Sequence, residues 1–245
     1  MGILQAALAR QYARTMREAY AFARSAAVAG GAPRNVLDCG SGRGQERMAT
    51  FGAFADGEGF HYCGLEWNAA EAAEGRAIGL DIVEADLNRP LPVEADSQDC
   101  IIALSVVEHL LMPCAFIREC HRALRPGGRL VLLTPNISTY FTVLQVLAGQ
   151  MPSSGPHPDS NELLLLEQPA NVSERQRDDV SADTPMHRHL VVFSLKVLER
   201  FLTLVGFSVE HARGFGYYPL PTWIQPFFER VDKAHCHQMV LVCRK

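Results

Sequence analysis

No stretch of the 245 residues approaches the ~20 consecutive apolar positions that a membrane-spanning helix needs. Basic charge is not in excess either: 23 Lys and Arg stand against 27 Asp and Glu, a formal net charge of −4. That balance argues against a general nucleic-acid binder, which presents a basic face. Met1–Ala29 lacks the uninterrupted apolar core of a secretory signal. The seven cysteines are odd in number, scattered, and include no C-x-x-C pair. Several sit in apolar runs such as Asp99-Cys100-Ile101-Ile102 and Val240-Leu241-Val242-Cys243, where cysteine acts as a small core residue. A reducing compartment, the cytoplasm, is the expectation.

What is present is ordinary for a globular chain: 48% hydrophobic and 20% charged residues. Neither an internal repeat nor an inter-domain linker stands out, so one domain over 1–245 is expected. It divides into an N-terminal helical segment (1–34), a core (35–136), a lid or substrate-side insertion (137–190) and a C-terminal helix with a strand pair (191–245). Leu4, Leu8, Tyr12, Met16, Tyr20 and Ala23 recur at helical spacing in Ile3–Ala29. Strands follow at Asn35–Cys39, Phe60–Glu66, Ile82–Ala85, Asp99–Ser105 and Arg129–Thr134. Helices are read at Gln45–Phe54, from Asn68 as cap through Arg76, and over Pro113–Arg125. Alternation of this kind predicts a Rossmann-like, doubly wound α/β sheet, mainly parallel, with helices on both faces. The rhythm then breaks. Asn136–Met151 reads as helical. Pro152–Pro185 is polar and irregular, apart from the acidic-apolar patch Glu162–Glu167, as lids and binding loops are. Ser194 opens a last helix to Val205, and Phe207–Ala212 with Gln238–Cys243 make a closing strand pair, the last strand antiparallel.

Chemistry concentrates at strand ends. Val36-Leu37-Asp38-Cys39-Gly40-Ser41-Gly42-Arg43-Gly44 runs from a strand into alternating glycines, and missing side chains let a ligand lie against bare amides. Strand two ends in Glu66, where a carboxylate can accept both hydroxyls of a ribose, strand three in Asp86-Leu87, strand four in Ser105-Val106-Val107-Glu108-His109. Alone, Glu66 and Asp86 read equally as helix caps or solvated loop residues; their joint spacing favours one ligand site. A nicotinamide-dependent dehydrogenase shares the glycine turn and acidic strand end. Its fingerprint, however, places two residues before the third glycine, where this chain has one.

These segments resemble class I S-adenosylmethionine-dependent methyltransferases. Val36–Gly44 is similar to the glycine motif of that family, and Tyr62–Asn68 to its ribose-binding strand end. Glu84–Leu87 is similar to its adenine-contacting segment, and Asp99–Leu110 with Arg118–Asn136 to its fourth and fifth strand regions. The resemblance implies S-adenosyl-L-methionine as cofactor and a small-molecule methyl acceptor as partner, with no nucleic acid and no integral membrane segment, the chain being a monomer or homodimer. It implies that Gly40, Ser41, Gly42 and Gly44 admit the methionine part near Asp38, that Glu66 holds the ribose, and that Trp67, Asp86 and Leu87 meet the adenine. Ser105 then borders the methyl-donor end. His109 is the candidate general base, read alternatively as packing at a helix start. Arg188 and His189, within Met186-His187-Arg188-His189, are read either as substrate contacts for a carboxylate or phosphate or as a helix-entry cluster. No metal site is expected: His187/His189 and His235/Cys236/His237 lack a four-ligand set. Ile137–Met151 and the aromatic Gly214–Phe228 read as core, or as the wall of a partly apolar acceptor pocket. The expected reaction is O-methylation in a biosynthetic pathway. The alternatives are N- or C-methylation, or a cofactor-binding regulatory protein without turnover. The absence of an Asn-Pro-Pro-Tyr-type segment after strand four disfavours methylation of base amino groups.

Overall fold

The structure, a computed structural model, describes residues 3–31, 33–54, 57–158, 160 and 188–245. Its frame is one seven-stranded sheet. Strands β1 (Asn35–Cys39), β2 (His61–Glu66), β3 (Ile82–Glu84), β4 (Gln98–Leu104) and β5 (Leu124–Pro135) are parallel. β6 (Ser208–Phe215) and β7 (Gln238–Arg244) complete the order β3-β2-β1-β4-β5-β7-β6, with β7 antiparallel to both its neighbours. This is the sheet expected from the alternating pattern.

Among the described residues the α-helices are α1 (Ile3–Ala27), α2 (Gln45–Phe51), α3 (Ala69–Ala77), α4 (Pro113–Ala123), α5 (Tyr140–Leu147), α6 (Leu195–Val205) and α7 (Gln225–Val231). Successive side chains on a strand point to opposite faces, so a strand covered on both sides must be apolar throughout. The central strands show it. Leu37, Ile101, Leu130, Leu132 and Leu241 pack with Phe116 and Ile117 of α4 and Leu195, Leu198 and Leu202 of α6. Val36, Ile102, Val131, Leu133 and Val240 pack on the other side with Ala19, Ala23, Ala26 and Ala27 of α1. Truncating a fully buried Leu132 to alanine would cost roughly 2–5 kcal/mol. The small alanines bring α1 close to the sheet, so its buried face is less the large-residue stripe of the sequence pattern than the Ala19–Ala27 row. Arg24 ties α1 to α2 by two hydrogen bonds to Glu46, of 2.6 and 3.0 Å.

Several boundaries differ from the sequence reading. α2 stops at Phe51 rather than Phe54, with Gly52 turning the chain. α4 ends at Ala123, and Leu124 already pairs with Gln98; the chain then bulges through Gly127 (φ +78°) before Arg129 meets Cys100. The helix expected over Asn136–Met151 shrinks to Tyr140–Leu147. Its missing first turn is explained by Asn136, whose buried amide donates to the carbonyls of Ala234 and Cys236 at 2.8 Å and pins the chain to the approach of β7. Thr139 then caps α5, accepting from Thr142 N at 2.8 Å. Ser194 stands at the N-cap of α6 without a side-chain cap bond. The patch Glu162–Glu167 and most of the polar stretch around it lie outside the described residues. Among the described residues no helix is long and apolar enough to cross a membrane.

Candidate active site

In this strand order β1 lies between β2 and β4, so the chain changes direction across the sheet there. A crevice opens beyond the carboxyl ends of the strands at such a point. The glycine turn occupies it. Gly40 N and Ser41 N donate to Leu65 O at 2.8 and 3.1 Å, holding the turn against the end of β2. Gly40, Gly42 and Gly44 adopt φ of +73°, +53° and +83°, where other residues are strained. Their surroundings differ. A Cβ on Gly40 would stand 2.5 Å from Val106 Cγ2, and one on Gly44 would strike Leu80 Cδ1. The missing side chains at these two positions make room for Val106 and Leu80. At Gly42 the nearest atom is the movable end of Gln45, at 3.0 Å. Gly42 is the floor of the cradle.

Glu66 closes that cradle from the side. Its carboxylate is 7% exposed and accepts from Gly42 N and from Asn68 N, both at 2.8 Å. Each oxygen has a further lone pair free for a hydroxyl donor. Trp67, beside it at the strand end, is 50% exposed. Asp38 lies deeper: it is buried, and the Tyr62 hydroxyl donates to it. Burial raises its carboxyl to about 7, while the Tyr62 bond pulls the other way. Ser41 is buried and packed so tightly on Gly64 that a Cβ there would lie 2.5 Å from Ser41 Oγ. β3 brings Asp86 to the same rim, since Ala85 N donates to Glu66 O at 2.9 Å. One Asp86 oxygen already accepts from Asn88 N and Nδ2 at 2.9 Å, and the other faces Arg89 at 3.6 Å. Leu87 is buried in the core.

The end of β4 carries a different kind of site. Ser105 has φ +58°, an uncommon conformation for a residue with a side chain, and its N donates to Leu133 O at 2.8 Å. Tyr20 of α1 reaches it, hydroxyl to Oγ at 3.4 Å. A short 3₁₀ turn over Val107–His109 follows. Glu108 is 2% exposed, and burial raises its carboxyl above the ordinary range against the opposing pull of His109. Thr134 Oγ1 donates to its Oε2 at 2.8 Å. Its backbone carbonyl accepts from Leu190 N at 2.6 Å and from Val191 N at 3.3 Å, which stitches the 188–191 segment onto the rim. His109 Nδ1 lies 2.9 Å from Arg188 O. A carbonyl only accepts, so Nδ1 carries a proton, and in the neutral ring the lone pair is on Nε2. His189 is arranged alike, with Nδ1 2.7 Å from Ser154 O, and burial lowers its imidazole to about 3. The two rings meet edge to face at 5.1 Å. Of the predicted substrate residues, His189 joins His109 directly and Arg188 joins through its carbonyl. His187 lies outside the described residues.

A methyltransferase domain family matches residues 8–212. The chain belongs to that family.

Among curated relatives of this methyltransferase, a probable S-adenosylmethionine-dependent methyltransferase of Mycolicibacterium smegmatis is 34% identical over 113 residues, 44% of this chain and 41% of the relative. A ubiquinone biosynthesis O-methyltransferase of Pseudomonas aeruginosa is 33% identical over 130 residues, 50% of this chain and 53% of the relative. The matched stretches thus span about half or less of those relatives' length. A solved S-adenosylmethionine-dependent methyltransferase from Mesorhizobium loti has the same fold, with a TM-score of 0.57 and 19% identity, covering 92% of this chain and 97% of that one.

Three contributors to this methyltransferase's rim escape a motif-based reading. Glu108 stands next to His109 in the sequence, and a carboxylate inside an otherwise apolar run was its signal. Tyr20 comes from the N-terminal helix, where the sequence shows only helical spacing. His157 stacks on His189 at 4.7 Å and accepts from His189 N at 3.2 Å, a pairing across 32 positions with no local signature. The two aromatic walls divide differently from expectation. Phe215, Tyr217 and Tyr218 are buried, Tyr140 stacks on His235 at 4.8 Å, and Trp223, Phe227, Val143, Leu144 and Leu147 are exposed.

Proposed function

We propose that this methyltransferase takes a methyl group from S-adenosylmethionine and delivers it to an oxygen of a small-molecule acceptor. The donor fits the rim on physical grounds: Gly42 offers bare backbone with only the side-chain ends of Gln45 and Glu71 above it, Glu66 has lone pairs to spare, and Trp67 is a half-exposed indole beside them. Asp38 and Ser105 flank that path, and Asp86 and Leu87 bound its adenine end. Bound there, the donor supplies a methyl group on a positively charged sulfur, which leaves with the carbon–sulfur electron pair.

The protein's work is to align the acceptor oxygen with that methyl group, exclude water and take away a proton. The observation that carries the oxygen reading is the His109 tautomer. With Nδ1–H spent on Arg188 O, Nε2 is an open acceptor at the end of β4, beside a buried carboxylate. A hydroxyl becomes a competent nucleophile only as its proton leaves, and His109 Nε2 can receive it. The Pseudomonas relative, named for O-methylation, supports the same choice. Arg188 and His189 stand on the acceptor side. The test is formation of S-adenosylhomocysteine with matched phenols and anilines. Turnover confined to the phenols is expected; turnover confined to the anilines would overturn the oxygen assignment.

A further inference from the structure

Among the described residues, one trio of metal-capable side chains converges on the acceptor side of the rim: Glu108, His109 and His189, with one ligand atom of each within 4.8 Å of those of the other two. We propose that this trio binds one divalent first-row transition cation through Glu108 Oε1, His109 Nε2 and His189 Nε2, leaving open positions for an oxygen of the methyl acceptor.

Each group keeps a ligand atom after its protein contacts are made. His109 Nδ1 and His189 Nδ1 both donate to backbone carbonyls, of Arg188 at 2.9 Å and Ser154 at 2.7 Å. That is the second-sphere arrangement that fixes a ligating histidine's tautomer and turns its Nε2 lone pair outward. At Glu108, Thr134 donates to Oε2 at 2.8 Å, and Oε1 lies 4.0 Å from His109 Nε2. Ligands on one such cation, about 2.0–2.2 Å from it, stand roughly 3–3.5 Å apart. The trio needs only a small inward closure of side chains. A buried carboxylate paired with the His109 imidazole at 4.0 Å is otherwise costly, and a cation would compensate it. The scaffold is braced, because the Glu108 carbonyl holds the 190–191 backbone and His157 N donates to His189 O at 2.8 Å. His157 itself is support rather than ligand: its Nδ1 accepts from His189 N and its Nε2 lies 3.2 Å from Ser153 O. Two imidazoles and one carboxylate select zinc, cobalt, iron or manganese over the oxygen-seeking magnesium and calcium.

The catalytic consequence, and only that, rests on the oxygen-acceptor reading. A cation held there would bind the acceptor oxygen and lower the pKa of its hydroxyl. The hydroxyl proton then passes to solvent water, the oxygen lone pair forms the new bond to the methyl carbon, and the carbon–sulfur pair goes to sulfur. His109 in that case is a ligand and not the base.

The experiment uses the full chain freed of metal by chelator and titrated calorimetrically with Co²⁺, with Mg²⁺ and with S-adenosylhomocysteine, Co²⁺ binding being followed also by its visible absorption. One Co²⁺ per chain is expected, with at least ~100-fold weaker binding of Mg²⁺ and a loss of ~10–100-fold or more in His189→Ala and Glu108→Gln. His109→Asn, at a half-buried position, serves as well where either of those variants loses its fold by circular dichroism. S-adenosylhomocysteine affinity stays unchanged in all of them. Absence of Co²⁺ binding, or binding that survives these substitutions, overturns the proposal. Cation binding without S-adenosylhomocysteine binding leaves the metal site standing and overturns the donor reading instead. Turnover that persists in chelator with a phenol acceptor overturns the catalytic consequence and restores His109 as base.

Discussion

The proposed donor half of the rim and the proposed acceptor half are built on different principles. At the donor half, Gly40–Gly44, Glu66 and Trp67 act through a turn and two adjacent strand ends, and the key bond runs from backbone Gly42 N to the Glu66 carboxylate. At the acceptor half, Glu108, His109, His189, Thr134 and Tyr20 come from four separate stretches of chain. They are held by contacts such as His109 to the Arg188 carbonyl, 79 positions away. Binding a constant cofactor needs backbone shape, which is encoded locally. Choosing an acceptor needs side chains assembled by packing.

Substitutions can break this division or sharpen it. The largest effect is expected at Gly42→Val, which forces a β-branched residue into φ +53° and fills the cradle floor. Calorimetry should detect no S-adenosylhomocysteine binding by a folded variant, and native affinity would remove Gly42 from the site. Gly40→Ala and Gly44→Ala make the contrast. Their Cβ atoms meet Val106 and Leu80, so they should lower the melting temperature more than the affinity of the folded fraction. His109→Ala should cut turnover by ~100-fold or more while leaving S-adenosylhomocysteine affinity within about threefold. An unaltered rate would demote His109 to packing. Glu66→Ala should weaken the same ligand by about 1–3 kcal/mol, the value of charged hydrogen bonds, and undiminished affinity would sink its donor role.

Smaller effects concern stability. Asp38 holds its proton in the fold up to about pH 7, whereas the unfolded carboxyl releases it near pH 4. Between those values the folded state binds the extra proton. This contribution is therefore complete below about pH 4 and is lost as pH rises toward 7, by up to ~1.4 kcal/mol per pH unit. His237 works in the opposite sense, because burial lowers it to about 4 and its neutral form favours the fold above the ordinary histidine range. The Asp38 share is isolated by comparing melts of wild type and Asp38→Asn: the wild type should lose stability relative to the variant as pH rises from 4 to 7. Parallel curves would mean that Asp38 is ionised throughout. Least of all, Ser105→Gly should relieve the φ of +58° and raise stability by roughly 1 kcal/mol, read as a few degrees in the melt. A lower melting temperature would show that the Tyr20 contact outweighs the strain.

The alternating apolar runs already specified strand number, the parallel core and the antiparallel close, because a strand covered on both faces must be apolar throughout and a helix must show its own period. Asn35–Cys39 is a strand in both readings, and Asn68 caps α3 as expected, accepting from Ala70 N and Glu71 N. Where the reading failed, a distant partner overrode local preference. Asn136 shortens α5 by bonding to Ala234 and Cys236, and β5 recruits Leu124 by pairing it with Gln98. Glycine turn and acidic strand end are neighbours in space because β1 and β2 are neighbours in the sheet, so their meeting was legible from residue order alone. Only the folded chain decided that a side chain on two of the three glycines would meet Val106 and Leu80, that Asp38 faces Tyr62, and that Glu108, His109 and His189 each bring one ligand atom within 4.8 Å of the others. The reason is physical: backbone conformation follows from the residues beside it, whereas a tautomer or a convergence of side chains follows from whatever the tertiary fold brings alongside.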